Sequence, residues 1–192
     1  KKYTLNENMC VISDDEGVLG LGGIIGGERS GTEIHTKNLL LESAYFDPTI
    51  TRKTAKKLDL NSDAKFRFER GVDPESVTAG LGAAVELILK ICGGEVSKFD
   101  IQQTKKFKNL EIKFDPKIVS KTVGTNINTN EIKKILSNLG FNIKSKGKFL
   151  NVKVPSWRPD IFSEIDLVEE VIRIIGYEKI KSIEPEKKRT KP

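Results

Sequence analysis

The glycine pair Gly93-Gly94 separates two differently patterned parts of this sequence, and this change of pattern is the strongest constraint on the fold. Before the pair, apolar residues recur at helical spacing after Asp73-Pro74, an N-cap followed by a proline at the first helical position. After the pair, "VSKFDIQQTKKFKNLEIKFD" alternates polar and apolar residues, as strands do. We therefore predict an α+β protein with a domain boundary near residues 94–108.

The first part is predicted to begin with two strands and to continue into helices. "MCVIS", the turn "DDEG" and the apolar run "VLGLGGIIGG" predict strand, turn and buried strand. "NLLLESAYF" (38–46) predicts another buried strand, and "PTITRKTAKKLDL" (48–60) a short basic helix that begins at Pro48. The helix that ends at Gly93 is expected to pack its apolar face on a core that includes Cys92.

The second part is predicted to contain strands, a lysine-rich link near residues 104–108, three helices and a hairpin. The expected markers are Asp115-Pro116 and Gly124 for the first helix, a Thr129 cap and Gly140 for the second, Lys146-Gly147 for the hairpin turn, and Ser163 and Gly176 for the last helix. Residues 181–192, rich in Lys, Glu and Pro, are expected to form a linker.

Composition limits the class of protein and its partners. The formal charge of +6 over 192 residues favours anionic partners, nucleic acid first. Two cysteines far apart fit neither a disulfide framework nor a metal knot and predict a reducing, cytoplasmic setting. Neither a signal peptide nor a membrane-spanning run is visible, so no membrane partner is expected. Without an initiating Met, the chain is expected to be a piece of a longer one.

Four carboxylates lie in or just before the last predicted helix: Asp160, Asp166, Glu169 and Glu170. Ser163, three residues before Asp166, resembles a capping box, which accounts for Asp166 alone. The repulsion among the others could be relieved in part by Arg173 or more fully by a hard divalent cation. The residues alone favour a solvated acidic face and leave the cation site open.

Three further features allow both a structural and a functional interpretation. The run "GLGGIIGG" (20–27) fails the dinucleotide and nucleotide-loop fingerprints, which leaves close backbone packing or close approach to a ligand. Glu42 either points outward from its predicted strand or lines a pocket. The basic stretch 51–71 contains Phe66 and Phe68, which either contact nucleic acid or pack inward. His35, the single histidine, has no catalytic constellation around it in the sequence.

Taken together, four motifs resemble the family of bacterial phenylalanine–tRNA ligase beta subunits. They are "GLGGIIGGERSGT", "NLLLESAYFDP", "RKTAKKLDLNSDAKFRFERGVDP" and "VPSWRPDI…EIDLVEEVIRIIGYEKI", in this order. The resemblance implies the C-terminal part of a B3/B4 editing domain over residues 1–94, a connection over 95–107 and a winged-helix-like B5 domain over 108–180. Residues 181–192 would lead to the synthetase-like core.

The resemblance also implies what the first part does. In this family the B3/B4 domain hydrolyses tyrosine wrongly attached to the tRNA for phenylalanine, and the position of Glu42 recognises the tyrosine hydroxyl. Gly26, Ser62 and Ala64 are implied to line the same pocket; relatives often have Thr where this chain has Ser62. The family also uses a histidine upstream of the glycine pair, which His35 does not match. The pocket is therefore incomplete, and the isolated chain is expected to be inactive. No catalytic residue is assigned, because no activated Ser or Cys is visible.

For the second part, the resemblance implies that Asp160, Asp166, Glu169 and Glu170 hold Mg²⁺ shared with the alpha subunit of an α2β2 tetramer. The whole enzyme would use ATP, bound mainly by the alpha subunit, to attach phenylalanine to its tRNA. The competing hypothesis is a non-catalytic nucleic-acid-binding or assembly module, which the charge of +6 would also suit.

Overall fold

The computed structural model describes residues 1–103 and 106–180, in two compact units that divide between Phe107 and Lys108. Both units combine helices with a three-stranded antiparallel sheet, which confirms the predicted α+β class. The predicted lysine-rich link lies partly outside the described residues, and the predicted linker from Lys181 to Pro192 lies wholly outside them. None of the helices in the described ranges is both long and apolar enough to span a membrane.

The first unit begins with a sheet and continues with three helices. Its elements are β1 (Val11–Asp14), β2 (Gly17–Leu21), β3 (Ile25–Gly26), α1 (Pro48–Leu58), α2 (Asp63–Phe68) and α3 (Val77–Cys92), with a 3₁₀ turn at Pro74–Ser76 before α3. The strands lie in the order β1-β2-β3. The predicted single strand over "VLGLGGIIGG" is therefore two strands, because the chain turns back at Gly22–Ile24 and pairs Leu21 with Ile25.

Local sequence accounts for the start and end of α1. The Asp47 carboxylate accepts hydrogen bonds from the backbone N–H groups of Thr49 and Ile50 at 2.8 and 2.9 Å, and Pro48 occupies the first turn. Asp59 ends the helix in the left-handed conformation with φ 51°. The helix packs Ala55 against Leu21, Ile24 and Leu60 in the small core of this unit.

Three predictions for the first unit are wrong. Residues 38–46 form no strand, because the segment pairs with no described strand and Leu40 is 94% exposed. Helix α3 ends where predicted but begins at Val77, after the 3₁₀ turn at Pro74–Ser76; its apolar stripe is half-buried, none of its residues is fully buried, and Ile91 is 73% exposed. Cys92 is exposed rather than part of a core.

The second unit carries the larger core. Its elements are β4 (Glu111–Phe114), α4 (Lys117–Val123), α5 (Thr129–Asn138), β5 (Asn142–Lys146), β6 (Phe149–Lys153) and α6 (Glu164–Ile175), with a 3₁₀ turn at Tyr177–Lys179. The sheet order is β4-β6-β5. The fully buried side chains come from strands and helices alike: Phe114, Val119, Ile132, Leu136, Val152, Leu167 and Val171.

Most predicted boundaries of the second unit are confirmed. The hairpin β5–β6 turns at Gly147, and helices α4 and α6 end before Gly124 and Gly176. The cap of α5 is Asn128 rather than Thr129, since the Asn128 side chain accepts from the Asn130 N–H at 2.8 Å. Of the alternating stretch after Gly94, only Glu111–Phe114 is a strand in the described residues.

Candidate functional site

Four of the five glycines in the run 20–27 are explained by packing. A Cβ on Gly22 would lie 2.7 Å from the Phe46 ring and 2.9 Å from the Cys10 sulfur. The remaining three are also crowded or strained: Gly20 and Gly27 face backbone atoms of the neighbouring strand, and Gly23, with φ +68°, lies against the rings of Phe46 and Phe68. Close packing, one of the two interpretations left open by the sequence, therefore holds for most of the run.

Gly26 is the exception. No heavy atom of the described residues lies within 4 Å of a Cβ built on it, and its φ is not in the left-handed region. Neither packing nor backbone conformation in this unit requires glycine at that position. The second interpretation, close approach of the chain to a ligand, therefore stays a prediction for Gly26.

Ser62 ties the start of α2 to the turn that precedes Gly26. Its hydroxyl donates to the carbonyl oxygen of Ile24 at 2.6 Å and accepts from the Lys65 N–H at 3.0 Å, as an N-cap does. Ala64, in the first turn of α2, is half-buried. The structure thus joins Ser62, and with it the start of α2, to the glycine turn, a link between positions almost forty residues apart that sequence alone could not make.

Glu42 lies on an exposed, non-helical segment, yet part of its carboxylate is removed from water, and this burial raises its pKa above the ordinary value. The pKa of the Cys10 thiol is also raised, first by burial and then by the negative charge of Glu42. Cys10 in turn contacts the glycine turn at Gly22. Among the described residues, none hydrogen-bonds the Glu42 carboxylate, which leaves it able to accept a bond from a ligand.

An open hollow of about 560 Å³ adjoins this region and shares Cys10 with it. Its basic side is formed by Lys53 and Lys57, one turn apart on α1 and both exposed. The N-terminal segment also lines the hollow, with Asn6, Glu7, Asn8 and Met9. The two lysines give the hollow a surface that can attract an anion.

The two phenylalanines of the basic stretch have different roles. Phe68 packs edge-on against Phe46, with ring centroids 5.3 Å apart, beneath Gly23. Phe66 is 57% exposed and lies under the guanidinium of Arg70, 3.7 Å from the ring centroid. One phenylalanine is therefore structural, and the other offers an exposed cation–π pair.

In the second unit, the capping box predicted for α6 is confirmed. The Asp166 carboxylate oxygen Oδ2 accepts from the backbone N–H groups of Phe162 and Ser163 at 2.9 and 2.8 Å, and from the Ser163 hydroxyl at 2.9 Å. These bonds, with the Phe162 N–H first, lower the pKa of Asp166. Asp166 therefore has a sufficient structural role at the start of the helix.

Two arginines hold two of the other carboxylates. Arg158 binds Asp160 with a pair of bonds, Nε to Oδ1 at 2.8 Å and Nη2 to Oδ2 at 2.6 Å. Arg158 Nη1 and Arg173 Nη2 both donate to Glu170 Oε2, at 3.0 and 2.6 Å. The hydrogen bonds from Arg158 are the main cause that lowers the pKa of both Asp160 and Glu170.

Helical periodicity placed Glu170 on a wet face with Glu169, but the structure buries Glu170 and leaves Glu169 exposed. The relief expected from Arg173 is confirmed, whereas Arg158 was missed. The signal that could have found it is the arginine two residues before Asp160 in "WRPD".

The oxygen chemistry of the four carboxylates suits Mg²⁺, but their arrangement does not. Both Asp160 oxygens and Glu170 Oε2 are already bonded to guanidinium groups. Within the described ranges, no group of three or more His, Cys, Asp or Glu side chains is placed to hold a metal ion. The four-ligand magnesium set therefore stays a prediction, and the cluster as it stands is an arginine–carboxylate network.

Comparison with known proteins gives two domain matches. Residues 1–93 match the model of the B3/4 domain, and residues 112–177 match that of the tRNA synthetase B5 domain.

Curated relatives match nearly the whole chain. A phenylalanine–tRNA ligase beta subunit of Bartonella quintana is 44% identical over 183 residues, covering 95% of this chain and 23% of the relative. That of Paramagnetospirillum magneticum is 46% identical over 180 residues, covering 94% and 23%. The subunit of Mesorhizobium japonicum is 41% identical over 180 residues, covering 94% and 22%. The chain thus spans less than a quarter of the length of these relatives.

Proposed function

This chain belongs to the family of phenylalanine–tRNA ligase beta subunits, and on that premise we propose that its first unit contributes to hydrolytic removal of tyrosine wrongly attached to the tRNA for phenylalanine. The parent enzyme, with an alpha subunit in an α2β2 tetramer, would use ATP to attach phenylalanine to that tRNA. In this proposal the chain has the cytoplasmic setting of protein synthesis.

The observation that carries this proposal is the open space over Gly26, next to the turn that Ser62 holds in place. A ligand that enters this space meets backbone atoms at Gly26 without an intervening side chain. Ser62 and Ala64 would form one wall, because the hydrogen bond from Ser62 to Ile24 holds the start of α2 against the turn.

Glu42 is the residue that would discriminate tyrosine from phenylalanine. Its carboxylate has no hydrogen-bond partner among the described residues, so the hydroxyl of a bound tyrosine would be a suitable donor. Phenylalanine lacks that hydroxyl and would leave the acceptor unpaired, which is the kind of difference on which strong discrimination depends. Correctly charged tRNA would therefore be spared.

Hydrolysis would depend on positioning rather than on a protein nucleophile. Cys10 contacts the glycine turn, but its raised pKa keeps it largely as the unreactive thiol. The Ser62 hydroxyl is engaged by the Ile24 carbonyl and the Lys65 N–H. A water held against the ester by backbone groups and by the tRNA itself needs no activated side chain. We therefore assign no catalytic residue to this chain.

The experiment that tests the proposal is hydrolysis of tyrosine-charged tRNA by the whole tetramer with Glu42→Ala or Glu42→Gln in the beta subunit. We expect the rate to fall at least about tenfold with Glu42→Ala, because one charged hydrogen bond contributes roughly 1.5–3 kcal/mol. Attachment of phenylalanine should be unchanged. A variant that hydrolyses tyrosine-charged tRNA at the wild-type rate would refute the role of Glu42.

A second candidate, nucleic-acid binding by the second unit, has an observation of its own. The hairpin β5–β6 carries Lys144 and Lys146, and the amino groups of Lys113 and Lys148 lie over the Phe149 ring at 4.1 and 5.0 Å. Such a basic hairpin can contact a phosphate backbone. Fluorescence anisotropy with labelled tRNA or duplex DNA tests this candidate, and unchanged binding after Lys144→Glu/Lys146→Glu would exclude it.

A further inference from the structure

The guanidinium group of Arg158 binds both Asp160 and Glu170, two of the four carboxylates predicted to hold a cation. It faces Asp160 with two parallel hydrogen bonds and reaches Glu170 with a third nitrogen. The side chains of Arg158 and Glu170 are only 14% and 9% exposed, so the pair is largely withdrawn from water. A cationic group is thus already built into the cluster.

The surrounding fold keeps Arg158 in this position. Its backbone N–H donates to the Pro155 carbonyl at 3.1 Å, which closes a turn in the loop before α6. Trp157, the preceding residue, packs so closely on Gly140 that a Cβ there would lie 2.9 Å from the indole ring. The guanidinium also lies 5.8 Å from the centre of the Phe141 ring. Arg158 is therefore anchored by packing as well as by charge.

We propose that Arg158 is the resident cation of this cluster, and that it and a divalent cation compete for Asp160 and Glu170. A divalent ion needs the same oxygens that Arg158 and Arg173 now use. The two arginines balance the charges of Asp160 and Glu170, which leaves Asp166 and the exposed Glu169 as the excess negative charge. Binding of Mg²⁺ at all four positions then requires Arg158 to withdraw.

Calorimetric titration of this chain with Mg²⁺ tests the competition directly. We expect weak or undetectable binding to the wild-type chain and an affinity at least about tenfold higher for Arg158→Gln, because a positive charge within contact distance of the site is removed. The matched control is Arg173→Gln, which removes the same charge from a side chain that is 48% exposed and, among the described residues, donates to Glu170 but not to Asp160. The increase in Mg²⁺ affinity should be clearly smaller for Arg173→Gln than for Arg158→Gln. The double variant Arg158→Gln/Asp160→Asn should show no increase.

Two outcomes would overturn the proposal. One is folded Arg158→Gln with the Mg²⁺ affinity of the wild type; the other is an equal gain in both arginine variants, which would make net charge alone responsible. If Arg158→Gln does not fold, the competition can be tested in the wild-type chain by following the side-chain Nε–H NMR signal of Arg158 during titration with Mg²⁺. Saturation with Mg²⁺ that leaves this signal in place would contradict competition. A shifted signal on saturation, or no binding at high Mg²⁺, would support it.

Discussion

The hydroxyl of Ser62 donates a hydrogen bond to the carbonyl oxygen of Ile24, 2.6 Å away, and so joins the start of α2 to the glycine turn. The Ser62 hydroxyl oxygen also caps α2 by accepting a hydrogen bond from the Lys65 N–H. One side chain therefore fixes a helix and a neighbouring loop that are far apart in the sequence. In the proposed editing role, this connection would hold one wall of the space above Gly26.

Ser62→Ala is expected to lower the free energy of unfolding of the chain by about 1–2 kcal/mol. The substitution removes the cap of α2 and leaves the Ile24 carbonyl without its partner. Ser62→Thr keeps the hydroxyl and should retain most of the stability. Urea denaturation followed by circular dichroism measures the difference, and equal stability of the wild type and Ser62→Ala would contradict the dual role of this hydroxyl.

Glycine-to-alanine substitutions should destabilise the chain at the crowded positions Gly22 and Gly27 but not at Gly26, which has free space around it. Gly27→Ala places a Cβ 2.6 Å from the Leu19 carbonyl oxygen, and Gly22→Ala places one against the Phe46 ring. We expect each to cost about 1–3 kcal/mol, since the crowded backbone and rings must shift. Thermal unfolding checks this, and Gly26→Ala, with free space around its Cβ, serves as the control that should leave the melting temperature nearly unchanged.

Stability of the chain should fall in acid partly through Glu170. Hydrogen bonds from Arg158 hold the pKa of folded Glu170 below its ordinary value, so its contribution is present above the unfolded pKa of about 4.3 and is lost as the pH falls through the folded pKa. Glu170→Gln should destabilise the chain by roughly 2 kcal/mol at pH 7. The difference in free energy of unfolding between the wild type and Glu170→Gln should become smaller below about pH 4. Denaturant unfolding at a series of pH values measures both curves; parallel curves would contradict the account.

Lys53 and Lys57 are expected to attract the tRNA to the hollow beside Cys10. Lys53→Glu/Lys57→Glu in the beta subunit of the tetramer should weaken tRNA binding and flatten its dependence on salt, because fewer counterions are released. Lys90→Glu, at an exposed position on α3, is the control for a general change of charge. Filter binding across a range of salt concentrations tests this, and equal effects at both places would remove any special role of the hollow.

Local signals in the sequence predicted helix ends well. Helix α6 has Ser163 as its N-cap and ends before Gly176 as expected, because a capping box and a terminal glycine act within a few residues. What local signals missed depends on distant partners. Arg158 lies twelve positions before Glu170, so no helical pattern could show that their pairing buries Glu170. The apolar content of residues 38–46 predicted a strand, but strands need partners, and the described residues offer that segment none.

The candidate site was predictable to a different degree. Resemblance to a family named Gly26, Glu42, Ser62 and Ala64, yet only the structure distinguishes Gly26 from the four glycines that packing or conformation requires. Resemblance also named four carboxylates as magnesium ligands. The structure shows that two of them, Asp160 and Glu170, are bonded to Arg158, so magnesium would have to compete with that arginine.

The central claim is that the space over Gly26 receives the ligand, and Gly26→Ala in the beta subunit of the tetramer tests it most directly. The measurement is the rate at which the tetramer hydrolyses tyrosine-charged tRNA. We predict a loss of about tenfold or more in that rate, with unchanged thermal stability and unchanged attachment of phenylalanine, since the added methyl group fills the space without a clash in the unit. Hydrolysis at the wild-type rate by a stable Gly26→Ala tetramer would contradict the account.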